Sequence, residues 1–197
     1  QAAELTVIDP LGNLIPITPI NVPTPDVISR TRTRERGAGP QYLVRFLTKE
    51  KSDQIDAEIG IMRANPAGEI YTTDLLLPQD SNPAYASSTL QLGDDRNAPG
   101  FIDPKRAEYF VVFDTENLIP PPPTATPVEK QFVGYDEYLP PGHLTGRNEV
   151  IFRDRPFINL TDPVSTGVRL IYKGVTDIIG IINAFISMRT RGIRVDA

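Results

Sequence analysis

Between Glu108 and Asp114 the chain reads Tyr109, Phe110, Val111, Val112 and Phe113, an unbroken apolar run closed at each end by a carboxylate. A run this short, rich in β-branched and aromatic residues, predicts a strand buried on both faces. From Gln41 a second strand is predicted, with Tyr42, Val44 and Phe46 on one side and Leu43 and Leu47 on the other, so both of its faces are partly buried as well. Ile55, Ala57, Ile59 and Ile61 alternate with Asp56, Glu58 and Gly60, and Asn65-Pro66-Ala67-Gly68 carries turn chemistry. Together these predict a hairpin, with Glu69 to Leu77 as the returning strand. A helix from Ser52 is the competing reading, because Ile55, Ile59 and Met62 also fit helical spacing; Gly60 and the turn that follows rank it second.

Farther along, Pro78 to Ser87 reads as a loop, Thr89 to Leu92 as a short strand, and Gly93 to Lys105 as another loop rich in Asp, Asn, Pro and Gly. Pro120 to Pro123 predicts a short polyproline II connection, followed by a strand around Gln131 to Tyr135 and a loop from Leu139 to Asn148. Glu149 to Arg153 and Val168 to Lys173 are the last predicted strands. The pattern then changes. Ile178, Ile181, Ile182 and Phe185 recur at helical spacing, with Thr176 as N-cap, Asp177 in the first turn, Arg189 in the last and Gly192 as the stop. Such a helix is about 21 Å long, enough to cover one face of a sheet. Gly180 inside it costs about 1 kcal/mol relative to alanine, so the helix depends on packing.

The N-terminal end has neither periodicity. Glu4 to Asp9 alternates weakly, a turn follows at Asp9-Pro10-Leu11-Gly12-Asn13, and prolines then stand at 16, 19, 23 and 25. Proline lacks the amide donor and fixes φ, so the segment is expected to run extended. Leu14, Ile15, Ile17, Ile20, Val22, Val27 and Ile28 are too apolar for a solvated linker. The fold expected is therefore mainly β, an antiparallel sandwich or barrel-like core, with an extended N-terminal arm (1–39), a β domain (40–174) and one C-terminal α-helix with its tail (175–197).

Composition narrows the function. The 197 residues are 40% hydrophobic, with 20 prolines and no cysteine, and carry a net charge of −5. An acidic molecule has no long-range attraction for nucleic acid or an anionic membrane. Lack of cysteine removes disulfides, thiolate metal sites and cysteine nucleophiles. No apolar run approaches the roughly 18 residues of a membrane span, and no secretory leader stands at the N-terminus. Gln1 as first residue is compatible with cleavage upstream.

Candidate chemistry is sparse. His143 is the only histidine, so two-histidine zinc motifs are excluded, and no nucleophile elbow accompanies it; an ordinary loop histidine is the preferred reading. Asp94, Asp95 and Asp103 offer oxygen ligands for a hard cation, but without the spacing of a calcium loop, and turn residues bonding their own backbone account for them better. Pro120 to Pro123 has a PxxP spacing, better read as a stiff connection than as a groove ligand. Nothing calls for a cofactor, a metal or catalysis.

The sharpest local pattern is Arg30-Thr31-Arg32-Thr33-Arg34-Glu35-Arg36. Extended, it places Arg30, Arg32, Arg34 and Arg36 on one side, a row suited to carboxylates or phosphates. The alternative is a solvated basic tip. As a binding row, its expected partner is the acidic surface of a neighbouring subunit rather than nucleic acid, since no aromatic residues interleave with the arginines. Arg189, Arg191 and Arg194 form a second basic cluster.

The expected function is that of a structural, non-enzymatic subunit of a large assembly, a virion component such as a capsid cement or tail protein. It would bind copies of itself or other structural subunits through Ile15, Ile17, Ile20, Val22 and the arginine row. The alternative is a secreted or periplasmic β-sandwich that binds a ligand with its loops at 78–105 and 136–148.

Overall fold

The strand Tyr109–Asp114 (β6) is the axis of the protein: Phe110, Val111, Val112 and Phe113 are all fully buried. In a computed structural model, which describes residues 5–8, 11–17, 39–93, 101–129, 132–133, 137–138 and 142–192, β6 lies between Tyr42–Leu47 (β3) and Arg169–Val175 (β12), antiparallel to both. Its side chains alternate between two cores. Phe110 and Val112 join Tyr42, Val44 and Ile171 on one face, where Ile181, Ala184, Phe185 and Met188 cover them. Val111 and Phe113 join Leu43 and Leu47 on the other, beneath Met62, Ile70, Val150, Phe152 and Ile158. A strand sandwiched this way must be apolar at every position, which is the pattern it carries.

The second face is covered by further antiparallel strands. Ile61–Arg63 (β4) pairs with Phe157–Asn159 (β11), and Leu144–Phe152 (β10) lies between Ile70–Thr72 (β5) and Thr126–Glu129 (β7). Single links join these ladders to the central sheet. Val44 and Thr73 exchange two backbone hydrogen bonds of 2.9 and 2.8 Å, and the Leu170 N–H donates to the Leu160 carbonyl at 3.1 Å. The remaining described strands are Leu5–Ile8 (β1), Leu14–Ile17 (β2), Phe132–Val133 (β8) and Glu137–Tyr138 (β9); β1 pairs with β2 and β8 with β9. In the first pair Pro16 stands opposite Thr6. A two-stranded ladder leaves every residue at an edge, where the missing donor of proline is tolerated.

The protein is thus mainly antiparallel β with a few helices, and several sequence expectations are corrected. The hairpin expected from Ile55 to Leu77 does not form. Its first half is the helix Lys49–Ala57 (α1), capped by Thr48, whose Oγ1 accepts the Lys51 N–H at 3.1 Å, and only Ile55 of the alternating residues turns fully into the core. A helix forms here, as in the competing reading, but it starts at Lys49 and leaves out Ile59 and Met62, because the left-handed backbone at Ile59 (φ +53°) and Gly60 (φ +86°) ends it before them. The turn at Asn65 to Gly68 is present, yet β4 and β5 on either side of it pair with β11 and β10. Likewise Thr89 and Leu90 are helical rather than extended: Pro83–Leu90 (α2) starts on Pro83, with Asn82 Oδ1 accepting the Ala84 N–H at 3.0 Å.

β10 begins at Leu144, within the predicted loop. A short helix, Pro163–Thr166 (α3), precedes β12. The expected C-terminal helix is Ile178–Thr190 (α4), capped by Asp177 and not by Thr176: Asp177 Oδ1 accepts the Gly180 N–H at 2.7 Å, while the Thr176 N–H is taken by the Glu108 carbonyl at 2.9 Å. α4 is one of several helices, not the sole one expected.

Candidate functional site

A cleft of about 380 Å³ opens where β3, the start of α1, β5 and the end of α2 meet. Its most unusual wall residue is Arg45. β3 is otherwise apolar or aromatic, and the alternation of the strand puts Arg45 between Leu43 and Leu47, opposite Val111 in the ladder. The side chain is only 5% exposed, and its Nη1 is buried without a hydrogen-bond partner. Burial pushes the guanidinium down to about 10. Among the described residues no carboxylate acts against that shift.

Lys51 reaches the same cleft from the first turn of α1. Burial pushes its ammonium down to about 8, and repulsion from Arg45 and Arg106 adds to the shift. The cleft therefore gathers three cations, Arg45, Lys51 and Arg106, with two carboxylates, Glu69 and Glu149, on its wall. Glu69 is held to Arg153 at 3.3 Å and accepts the Tyr71 hydroxyl at 3.2 Å. Gln91, which ends α2 beside the cleft, has a φ of +54°, an uncommon conformation for a residue with a side chain. An unpaired buried cation, a depressed lysine and local backbone strain in one concavity are the marks of a site that receives an anion.

A second feature is the outer surface of α4. Ile181, Ala184, Phe185 and Met188 face the central sheet, yet Val175, Ile178, Ile179 and Ile186 are 47%, 41%, 52% and 56% exposed. Ile178, Ile179 and Ile186 share one face of α4, and Val175 is the last residue of β12, just before it. The helix is apolar on two sides and covered on one.

Of the residues singled out from sequence, Ile15 and Ile17 lie in β2, whereas Ile20, Val22, Arg30, Arg32, Arg34 and Arg36 lie outside the described residues, as do Asp94 and Asp95. Asp103 is a cap, its Oδ1 accepting the Lys105 N–H at 3.0 Å. His143 is exposed just before β10. Among the described residues no group of three or more His, Asp or Glu side chains is placed to hold a metal, and no helix is long and apolar enough to cross a membrane.

Sequence reasoning passed over Arg45, Lys51, Arg147 and Asp80. Arg45 had a signal, a charge inside a strand whose other members are all apolar. The others became visible only through contacts far apart in the chain. Comparison with protein-family models, curated proteins and solved structures finds no match for this chain.

Proposed function

We propose that this protein is a non-enzymatic structural subunit of a large assembly, and that copies join by seating the apolar N-terminal segment of one on α4 of the next. The observation that carries the proposal is the exposed row Ile178, Ile179 and Ile186 on α4, with Val175 at the end of β12 just before it. Side chains of this size standing in line on a helix are what a partner covers, and isolated domains rarely leave such a row in water. The complementary surface is in the same sequence: Ile15, Ile17, Ile20 and Val22, spaced by prolines that make an extended segment cheap to order. A segment docking on a neighbour rather than on its own domain is the device by which identical chains build closed or extended arrays.

We place the assembly in a virion on the texture of the sequence, an acidic, cysteine-free chain with a long apolar and proline-rich start. The linked ladders around β6 are, in this reading, one barrel-like wall that gives α4 a rigid base. Arg30, Arg32, Arg34 and Arg36 would follow the docked segment onto the acidic surface of the neighbour, adding salt-sensitive attraction.

Light scattering on the full chain from 1 to 100 µM tests the proposal. Self-association that disappears in the Ile179→Ser/Ile186→Ser variant, with unchanged circular dichroism, is the expected result. Deletion of residues 1–39 should give the same monomer. A wild-type chain that stays monomeric throughout would overturn the reading.

A further inference from the structure

Arg45 is an arginine in the position of a leucine. Its neighbours on the same face of β3, Leu43 and Leu47, are 0% and 1% exposed, and its ladder partner Val111 is fully buried. Placing an ionised group there without a partner costs several kcal/mol. Arginine does not escape that cost by losing its proton, since even after the effect of burial its pKa stays well above neutral. Lys51, on α1, adds a second cation whose environment contains other cations and no compensating carboxylate. Two neighbouring positive charges, one buried and one half-buried, without a counter-ion among the described residues, make the cleft attractive to negative charge.

The rest of the wall says what kind of anion. The guanidinium of Arg45 carries paired N–H donors that match the two oxygens of a carboxylate. Phe46, Leu90 and Leu92 make part of the wall apolar, and about 380 Å³ is room for a small organic molecule. The first turn of α1 adds the positive end of a helix dipole beside Lys51.

We propose that this cleft is a binding site for a small organic carboxylate, whose head group pairs with Arg45 and Lys51 while its apolar body lies on Leu90 and Leu92. The site stands independently of the assembly reading, because an assembling subunit can hold a ligand and a monomer can hold one equally well.

The test is calorimetric titration of the full chain at pH 7 with hexanoate, benzoate, acetate and inorganic phosphate. Hexanoate or benzoate should bind at least tenfold more tightly than acetate, which lacks the apolar body, and more tightly than phosphate. Arg45→Met, which keeps the length of the side chain and removes the buried charge, should lower that affinity at least tenfold while remaining folded by circular dichroism. Lys51→Gln supplies a second readout at a more accessible position. In the wild type the affinity should fall as pH rises through about 8, where Lys51 loses its proton, and in Lys51→Gln it should not. Glu69, Tyr71, Glu149, Arg45 and Arg106 also face the cleft, and the Lys51→Gln control separates their titration from that of Lys51.

Absence of binding by both hexanoate and benzoate overturns the proposal, as does tighter binding of phosphate. Binding that appears only in an Asp94→Asn/Asp95→Asn variant also overturns it, since carboxylates of the chain itself would then supply the counter-ion. Whether the protein self-associates is read by light scattering and has no bearing on any of these outcomes.

Discussion

Arg147 grips Asp80 with both arms of its guanidinium, Nη1 at 2.8 Å from Oδ1 and Nη2 at 3.0 Å from Oδ2, where the two side chains are 3% and 0% exposed. The pair ties β10 to the Pro78–Ser81 turn, on which α4 also packs. Its remaining bonds stay local: Arg147 donates to the Leu75 carbonyl at 3.2 Å and Thr89 Oγ1 at 3.3 Å, and Asp80 accepts the Leu77 N–H at 2.8 Å. Burial raises the Asp80 carboxyl above its ordinary range, and the charge and bonds of Arg147 act against that rise. The pair is the mirror of Arg45: one buried arginine has its carboxylate, the other does not.

Breaking the pair from one side should therefore be costly. Arg147→Met leaves the Asp80 carboxylate buried without a cation and is expected to lose about 3–5 kcal/mol of stability in urea unfolding. Arg147→Met/Asp80→Leu, which removes both charges, should recover most of that loss. A single variant within about 1 kcal/mol of wild type would show that the pair is open to water in solution.

Ile59 is a β-branched residue held at φ +53° and 77% exposed, so it is strained while burying little. Its backbone is fixed by bonds in which its own side chain takes no part: its N–H donates to the Asp56 carbonyl at 3.3 Å, and its carbonyl accepts the Thr161 hydroxyl at 3.1 Å. Left-handed backbone costs a side-chain-bearing residue about 1–2 kcal/mol, and glycine loses roughly 0.5–1 kcal/mol in chain entropy. Ile59→Gly is expected to stabilise by about 0.5–1 kcal/mol on that difference, read as a higher urea midpoint at unchanged slope. A lower midpoint would mean that the side chain packs in solution.

Gly180 gives the opposite sign to the one its sequence context predicts. Alanine in a helix interior is worth about 1 kcal/mol over glycine. A Cβ at position 180, however, would run into the carbonyl oxygen of Val175, a backbone atom at the end of β12 that cannot swing aside. Gly180→Ala should destabilise by about 1–3 kcal/mol, as overpacking does. Thermal melts of the two proteins suffice, and a raised Tm would show that α4 can shift away from β12.

Legibility in the sequence followed how local the determining contacts were. β6 and β3 could be read directly, because strands buried on both faces carry nearly continuous apolar runs, broken in β3 only at Arg45. α4 was legible through its periodicity, although its cap fell one residue later than expected, since Thr176 is engaged with Glu108. The segment from Ile55 to Leu77 was misread because alternation and helical spacing coincide there; what separates them is the Thr48 cap and the left-handed backbone at Ile59 and Gly60. Pairing of β4 with β11 and β5 with β10 spans too much chain for any local signal. The cleft was invisible for the same reason, since Arg45, Lys51 and Arg106 converge only after folding.

Lys51 makes the electrostatic strain of the cleft measurable by itself. Its folded pKa, pushed down to about 8 by burial and by Arg45 and Arg106, lies below the value of about 10.4 expected in an unfolded chain. Below pH 8 both states hold the proton and the folded protein bears the full penalty. Between pH 8 and about 10.4 the folded state sheds the proton first, so the unfolded state binds more protons and the contribution of this group to stability rises with pH. Lys51→Met removes the penalty outright and should be more stable than wild type at pH 7, by about 1 kcal/mol once partial solvation of the ammonium is discounted. That advantage should shrink as the pH is raised to 10, with tyrosine and other titrations cancelling between the two proteins. A difference that stays constant from pH 7 to 10 would mean that Lys51 titrates as a solvated lysine and that the cleft imposes no electrostatic strain on it.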